Sequence, residues 1–186
     1  MRFKTLAVFL TAIVCQFPAC NVLAQEVTAS KEYQFKAALL YNFSVFTEWP
    51  FLPPEAFDFC VLGKDPFGSW LDNIARKTVQ GKAIHIRRIG ATEDIKGCHL
   101  LFVPALEKDL YYKVAPLLKL QATLTITDAQ QIDEKWPMIM ITVVPETVST
   151  QVPEGKLYTF DINHGAAKAV GLTLSSKLLR LARNVK

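Results

Sequence analysis

Residues 57–68 read FDFCVLGKDPFG, and this stretch sets the fold class. Its first half, Phe57–Leu62, is a short apolar run of the kind that forms a buried strand. Its second half turns the chain, with Asp65 as a natural N-cap and Pro66 at the first position of a following helix. We therefore expect a helix over residues 67–77. A strand, a turn and a helix in this order are the building block of an α/β sheet.

The same alternation continues on the C-terminal side. Further elements are expected as strands at Ala83–Ile89, His99–Val103, Ala122–Thr127, Met138–Val144 and Lys156–Ile162, and as a helix at Glu107–Leu118. Apolar strands separated by helices favour a parallel sheet that is covered on both faces. The last two strands are joined by a polar loop, Pro145–Glu154, and are candidates for an antiparallel pair. The sequence predicts one α/β domain, a mixed and mostly parallel sheet of about six strands flanked by helices.

Helical segments are also expected at both ends of the domain. The pattern over residues 31–48 is helical, with Ser30 as its cap, because apolar side chains recur at three- and four-residue spacing: Phe35, Leu39, Phe43 and Phe46. Trp49-Pro50 should end it. Near the other end of the domain, Asn163 is predicted to cap a short helix over residues 164–170, and Ser175 a final helix to about Val185.

The first 24 residues have the pattern of a cleavable secretory signal. Arg2 and Lys4 form a positive n-region, Leu6–Val14 is an apolar h-region, and Val22-Leu23-Ala24 precedes a suitable cleavage site. The apolar run is shorter than the roughly 20 residues that a transmembrane helix needs. A lipoprotein signal that would place a lipid on Cys20 is the alternative. We expect a signal peptide, residues 1–24, followed by one exported domain, residues 25–186.

Charge and cysteine content narrow the function classes. Residues 25–186 carry 19 basic and 17 acidic side chains, a net charge of +2, and contain no basic run, so nucleic-acid binding has little support. Two cysteines remain behind the signal, and in an oxidising compartment they favour one disulfide, Cys60–Cys98. Two separate buried thiols are the alternative. The histidines show no ligand spacing, so no metal centre is expected.

Two positions are candidates for small-ligand binding. The loop of residues 63–68 lies where a strand ends and a helix is expected to begin, so N–H groups around Asp65 and Phe67 could hold an anion. A tight turn without a ligand is the alternative there. His164, at a second strand-to-helix junction, could be a ligand contact or a pH-sensitive group. The alternative for His164 is an ordinary residue at the start of a helix.

The aromatic connector after the first helix is a candidate for protein contact. Trp49 and Phe51 lie in it, and aromatic side chains displayed there would anchor a partner. Burial in the core is the alternative for these residues. Catalysis has no support, because Ser175 lacks the following glycine of a nucleophile elbow and no other nucleophile is placed with a base. We therefore expect neither an enzyme nor a cofactor.

Several of these motifs resemble the YfiR family of bacterial periplasmic regulators. The similarity extends over residues 32–185 and is carried by YQFKAA at 33–38, YNF at 41–43, TEWP at 47–50, CVLG at 60–63, DPFG at 65–68, Cys98 before an apolar strand, FDIN at 160–163, GL at 171–172 and SSKLLRLA at 175–182.

The resemblance implies a small periplasmic α/β protein that represses a membrane-bound diguanylate cyclase of the YfiN type, and so controls cyclic di-GMP and biofilm formation. It also implies a homodimer and an outer-membrane lipoprotein of the YfiB type that sequesters the repressor. The family's namesake has a second cysteine pair that this chain lacks, so regulation through a second disulfide is not expected.

The leading hypothesis is thus a periplasmic regulatory binding protein. The alternative is a small-ligand-binding sensor module, partnered with another membrane sensor, that uses the loops around Asp65 and His164.

Overall fold

The computed structural model describes residues 20–52, 55–90, 95–130, 132, 137–144 and 157–186, with side chains from Lys31 onward. Most of the expected signal peptide, the loop Pro145–Glu154 and Lys156 lie outside these residues. The signal peptide and its lipoprotein alternative therefore stay predictions.

The described residues form ten strands, eight of which make one sheet. Their bounds are β1 Thr47–Glu48, β2 Phe57–Leu62, β3 Thr78–Val79, β4 Lys82–Ile89, β5 Leu100–Val103, β6 Leu124–Thr127, β7 Ile139–Val143, β8 Tyr158–Ile162, β9 Thr173–Leu174 and β10 Asn184–Val185. The large sheet has the order β10–β8–β7–β6–β5–β2–β4–β3, while β1 and β9 form a separate ribbon.

The sheet is mixed and mostly parallel. Strands β4, β2, β5, β6 and β7 run parallel, as does β10 with β8, whereas β8 is antiparallel to β7 and β3 to β4. The predicted fold class is confirmed, and so is the antiparallel pairing of β7 with β8. The sheet has eight strands rather than about six, because β3 and β10 contain two residues each and are too short to show a periodicity.

Five helices accompany the strands in the described part of the chain. They are α1 Cys20–Val45, α2 Trp70–Ala75, α3 Lys108–Leu118, α4 His164–Ala169 and α5 Ser176–Leu181, and a 3₁₀ turn at Ala105–Glu107 precedes α3. Both predicted caps are confirmed: the Asn163 side chain accepts from the N–H of Ala166, and Ser175 from that of Leu178. Among the described residues, no helix combines the length and hydropathy needed to cross a membrane.

The predicted bounds of the first helix were wrong at both ends. Helix α1 begins at Cys20, so Ser30 lies inside it and does not cap it. It ends at Val45, three residues early, because the Thr47 hydroxyl donates to the carbonyl of Phe43 at 2.7 Å and Thr47 then enters β1.

Two other predicted helices were too long. Asp65 does not cap α2; its Oδ1 accepts from the N–H of Phe67 at 2.7 Å in a local turn, and the helix starts at Trp70. Helix α5 ends at Leu181 because the N–H of Arg183 donates to the carbonyl of Phe160 and the chain pairs with β8 as β10.

The apolar core has two parts, one on each face of the sheet. Successive side chains of a strand point to opposite faces, and β2 shows this alternation: Phe57, Phe59 and Val61 belong to one cluster, and Cys60 and Leu62 to the other. The first cluster also contains side chains of α1, α2, α4 and α5, whereas the second contains the buried face of α3. Helices thus cover both faces, as the parallel strands require.

Candidate functional site

The β1–β9 ribbon joins the two ends of the globular chain. Thr47 pairs with Leu174 and Glu48 with Thr173, in antiparallel register. The turn before β9 depends on Gly171, whose φ of +80° favours glycine and whose added Cβ would lie 3.4 Å from Cγ of Pro50. The N-terminal and C-terminal motifs that appear separate in the sequence are therefore one structural unit.

Trp49 supports this ribbon from the inside. Its side chain is only 8 % exposed, it packs edge-on against Phe57 with ring centroids 4.9 Å apart, and its Nε1 donates to the carbonyl of His99 at 3.1 Å. In this conformation Trp49 fixes the connector to the start of β5 and is not displayed. A direct partner contact by Trp49 stays a prediction that this burial does not favour.

His99 completes the support beneath the ribbon. Its Nδ1 accepts from the N–H of Asp58 at 2.9 Å, and its ring stacks on Phe57 at 5.1 Å. Burial lowers the pKa of His99, and the nearby Arg87 guanidinium lowers it further against the opposing effect of Asp58. The ring is therefore neutral at pH 7 with Nδ1 unprotonated, and it acts as a fixed acceptor.

Phe51 is the aromatic side chain that the connector does display. It is 73 % exposed, two residues after the buried Trp49. The exposed residues around it are Glu48, Pro50, Gly171 and Thr173, and we call these five residues the ribbon surface. A large apolar side chain held in solvent by a rigid support has the character of an interface anchor. Partner contact by Phe51 stays a prediction, and the exposure of this side chain is compatible with it.

The loop of residues 63–68 is already filled by side chains of the protein. The N–H of Lys64 donates to Oε1 of Glu107 at 3.0 Å, and a Cβ on Gly63 would lie 2.4 Å from Cδ of the same carboxylate. Asp65 uses its second oxygen to accept from Nε of Arg88 at 2.6 Å. The glycine thus makes room for Glu107, and the carboxylate takes the N–H that an anion would have used.

Phe67 and His164 do not form a site together with Asp65. Phe67 is buried between Tyr33 and Phe102. His164 follows β8 at the amino edge of the parallel strands, whereas Asp65 follows β2 at their carboxyl edge. Burial, and then the charge of Lys168, lowers the pKa of His164. Since the two loops lie at opposite edges of the sheet, one small ligand cannot contact Asp65 and His164 together.

A buried ionic cluster beside α1 was missed by the sequence reasoning. Lys36 is 5 % exposed, and its Nζ contacts Asp128 at 2.5 Å and Glu32 at 2.6 Å. The other oxygen of Asp128 accepts from the N–H of Ala105 at 2.7 Å. The helical spacing could have revealed this cluster. Lys36 lies four residues before Leu40 and seven before Phe43, and so lies on the buried face of α1.

Two tyrosines complete this cluster. The Lys36 ammonium lies 4.8 Å from the ring centre of Tyr33 and 5.8 Å from that of Tyr158. Burial by itself would lower the pKa of Lys36, but the ion pair with Asp128 outweighs it and the pKa is raised. Burial raises the pKa of both tyrosines, with Glu32 adding to the effect at Tyr158. At pH 7 the lysine is therefore charged and both tyrosines are neutral.

The predicted disulfide is present in the structure. Cys60 in the middle of β2 and Cys98 just before β5 are bonded, with Cα atoms 5.8 Å apart, and both are buried. The bridge ties together two neighbouring parallel strands at the centre of the sheet. Within the described ranges, no group of three or more His, Cys, Asp or Glu side chains is arranged to hold a metal ion.

Comparison with known protein families identifies the family of this chain. A comparison with curated proteins gave no match. The model of the YfiR/HmsC-like family matches residues 33–183, which begin just after Glu32 of the ionic cluster and end beside β10. Because this match covers far more than half of the chain, the protein belongs to the YfiR/HmsC-like family, a regulatory and non-catalytic family, and membership implies a periplasmic regulator in cyclic di-GMP signalling.

Proposed function

We propose that this protein represses a membrane-bound diguanylate cyclase of the YfiN type by binding the cyclase's periplasmic domain. Residues 1–24 act as a cleaved signal peptide in this proposal, and the mature chain starts at Gln25. An outer-membrane lipoprotein of the YfiB type relieves the repression by sequestering the repressor, and the working form is a homodimer. Family membership supports the regulatory role.

The observation that carries the proposal is the exposure of Phe51 on the ribbon surface. Neighbouring aromatic side chains of the same segment, Phe43, Trp49 and Phe57, are buried in the core. A partner that covers an exposed Phe removes its apolar surface from water, and this burial favours binding. Interface anchors of this kind contribute about 2 kcal/mol or more to the binding free energy. The ribbon surface is therefore the part of the molecule that we assign to the cyclase.

The physical mechanism is a shift in the cyclase equilibrium. A binding protein represses an enzyme only if it has higher affinity for the inactive state than for the active one. Moving a two-state enzyme from almost fully active to almost fully inactive requires a differential binding free energy of about 5.5 kcal/mol. Loss of a single anchor of about 2 kcal/mol would weaken binding roughly thirtyfold and release much of the repression.

The first experiment is a capture from detergent-solubilised membranes of the bacterium that encodes this chain. The bait is the chain from Gln25, and captured proteins are identified by mass spectrometry. Recovery of a membrane protein with a diguanylate cyclase domain supports the proposal. Recovery of outer-membrane proteins alone, with no cyclase, contradicts repression by direct binding.

The second experiment measures affinity in solution, with the purified periplasmic domain of the captured cyclase. We expect Phe51→Ala to weaken binding about thirtyfold while changing the free energy of unfolding by less than about 0.5 kcal/mol, because the side chain is exposed. The matched control is Leu120→Ser, since Leu120 is 97 % exposed and follows α3 on the opposite face. Equal affinities of wild type and Phe51→Ala would remove the ribbon surface from the proposal.

A further inference from the structure

His99 lies where the support beneath the ribbon meets the large sheet. Its N–H donates to the carbonyl of Asp58 at 2.9 Å, and its carbonyl accepts from Nε1 of Trp49 at 3.1 Å and from the N–H of Leu124 at 2.8 Å. The backbone of His99 is thus bonded to β2, to β6 and to the connector that displays Phe51. A change at His99 reaches the ribbon surface through one side chain, that of Trp49.

The ring of His99 can hold its place in one protonation state only. Its Nδ1 accepts from the N–H of Asp58 at 2.9 Å, and a backbone N–H can only donate. In the imidazolium form both ring nitrogens carry a proton, so two donors would face each other. Protonation of His99 therefore breaks this hydrogen bond, and the ring has to turn away from the N–H of Asp58.

Phe57 connects the orientation of the His99 ring to the position of Trp49. The His99 ring stacks on Phe57 with ring centroids 5.1 Å apart and planes 27° from parallel, and the indole of Trp49 meets Phe57 edge-on at 4.9 Å. Phe57 is completely buried, and Trp49 is nearly so. Because buried side chains are closely packed, a ring that leaves the face of Phe57 also disturbs the contact of Phe57 with Trp49.

The charges that act on the His99 ring come from Asp58 in β2 and Arg87 in β4. Burial of the ring lowers the pKa of His99, the Asp58 carboxylate raises it, and the Arg87 guanidinium lowers it, so that the pKa lies below the usual value of about 6.5. The two oxygens of Asp58 are shared with other groups, since one contacts Nδ1 of His85 and the other the guanidinium of Arg87, both at 3.1 Å. The attraction of Asp58 thus does not compensate for protonation of the buried ring.

We propose that His99 is a pH-sensitive switch for the ribbon surface. The neutral ring holds Trp49 in the docked position, with its Nε1 on the carbonyl of His99, and the protonated ring releases it. Binding of the partner to the ribbon surface therefore weakens in acid. This inference rests on the proposed function in one respect, the assignment of the ribbon surface to the cyclase; release of Trp49 needs no partner and is measured separately.

The expected size follows from the linkage between protonation and docking. In the released state the pKa of His99 is close to 6.5, so that at about pH 5.5 only about a tenth of the rings are neutral. A docked state that requires the neutral ring then loses at most about tenfold in population, relative to the released state, between about pH 7.5 and pH 5.5. The β1–β9 ribbon has only two residue pairs and is not stable without this support. We expect the apparent affinity for the cyclase to fall about threefold to tenfold.

The first test follows the indole N–H of Trp49 by heteronuclear NMR in the chain from Gln25, from about pH 7.5 to about pH 5.5. The chain has three tryptophans, and Trp49→Phe identifies the resonance. We expect this resonance to move toward the position of a solvent-exposed indole as the pH falls below about 6.5. His99→Asn keeps an acceptor for the N–H of Asp58 that cannot be protonated, so its Trp49 resonance should stay in place.

The other two of the three histidines provide matched controls. His85→Asn removes the imidazole that contacts Asp58 from β4, and His164→Asn removes one at the start of α4. Both variants keep His99, so their Trp49 resonance should titrate as in the wild type. A wild-type resonance that does not move over this pH range overturns the proposal, and so does a movement that His99→Asn retains.

The second test measures affinity for the purified periplasmic domain of the cyclase at the same two pH values. The ratio of the affinities of wild type and His99→Asn cancels any titration of the cyclase itself, and we expect this ratio to fall at least about threefold in acid. An unchanged ratio overturns the effect on partner binding, even where the Trp49 resonance titrates. If neither protein binds the cyclase at either pH, the proposed function fails, and the NMR result alone confirms or overturns the release of Trp49.

Discussion

Replacing Lys36 by methionine tests the buried ionic cluster that ties α1 to the sheet. Methionine keeps the length and the apolar stem of the side chain and removes only the ammonium. The side chains of Lys36 and Asp128 are 6 % and 4 % exposed, so the lost charge leaves a carboxylate that water cannot easily reach. We expect the free energy of unfolding to fall by about 3–5 kcal/mol, the usual cost of an uncompensated buried charge.

Removing the charge of Asp128 should lower the free energy of unfolding less than removing the charge of Lys36, because both side chains keep another contact. In Asp128→Asn the amide oxygen can still accept from the N–H of Ala105, and Lys36 keeps its contact with Glu32 at 2.6 Å. We expect a loss of about 2 kcal/mol for this variant. The double variant Lys36→Met/Asp128→Asn removes both charges, so its loss should be smaller than the sum of the two single losses by about 1–3 kcal/mol.

The assay is urea unfolding of the chain from Gln25, followed by tryptophan fluorescence and analysed as a double-mutant cycle. The matched control is Lys31→Met, on the same helix but exposed, which should change the free energy of unfolding by less than about 0.5 kcal/mol. If the two single losses add to within about 0.5 kcal/mol, or if Lys36→Met behaves like Lys31→Met, the reasoning about the cluster is wrong.

The same cluster makes a prediction about alkaline pH. The pKa values of Lys36, Tyr33 and Tyr158 are all raised in the folded protein, so each group keeps a proton that the unfolded chain releases above about pH 10. The stabilisation is fully present below that pH and is lost as the pH rises further. Lys36→Met removes one of these groups, so its free energy of unfolding should fall less steeply above pH 10 than that of the wild type.

Two further predictions concern the support beneath the ribbon and the centre of the sheet. Replacing both Cys60 and Cys98 by alanine should lower the free energy of unfolding by about 4 kcal/mol, from loss of a crosslink between residues 38 apart; a urea midpoint within error of the wild type would contradict this. The lowered pKa of His99 means that its contribution is present above about pH 6.5 and is lost as the pH falls. His99→Asn, which keeps an acceptor for the N–H of Asp58, should therefore have a melting temperature that falls less between about pH 7 and pH 5 than that of the wild type, and an unchanged slope would contradict the assignment.

The local sequence pattern was sufficient to predict a central strand and two helix caps. Phe57–Leu62 was located to the residue, because an apolar run of this length, bounded by turn residues, is short for a helix and favours a buried strand. The caps Asn163 and Ser175 were also found, since each side chain satisfies an N–H only three residues away. Features that depend on neighbours in sequence were thus predictable.

Features that depend on distant residues were not. Helix α5 was expected to continue to Val185, but the carbonyl of Phe160 and the edge of β8 draw the chain into a strand from Asn184. Asp65 looked like a helix cap, yet Arg88 from a neighbouring strand holds one of its oxygens. In each case the local sequence favours the predicted helix or cap. The competing partner is distant along the chain and comes near only when the protein folds.

In the candidate site, too, features set by neighbouring residues were predictable and features set by distant residues were not. Aromatic residues around the connector could be recognised as a partner anchor, but only tertiary structure distinguishes Phe51, which is exposed, from Trp49, which bonds to the carbonyl of His99. The ionic cluster was missed for a related reason. Lys36 reads as one more surface charge unless its position on the buried face of α1 is taken seriously, and its partner Asp128 is 92 residues away.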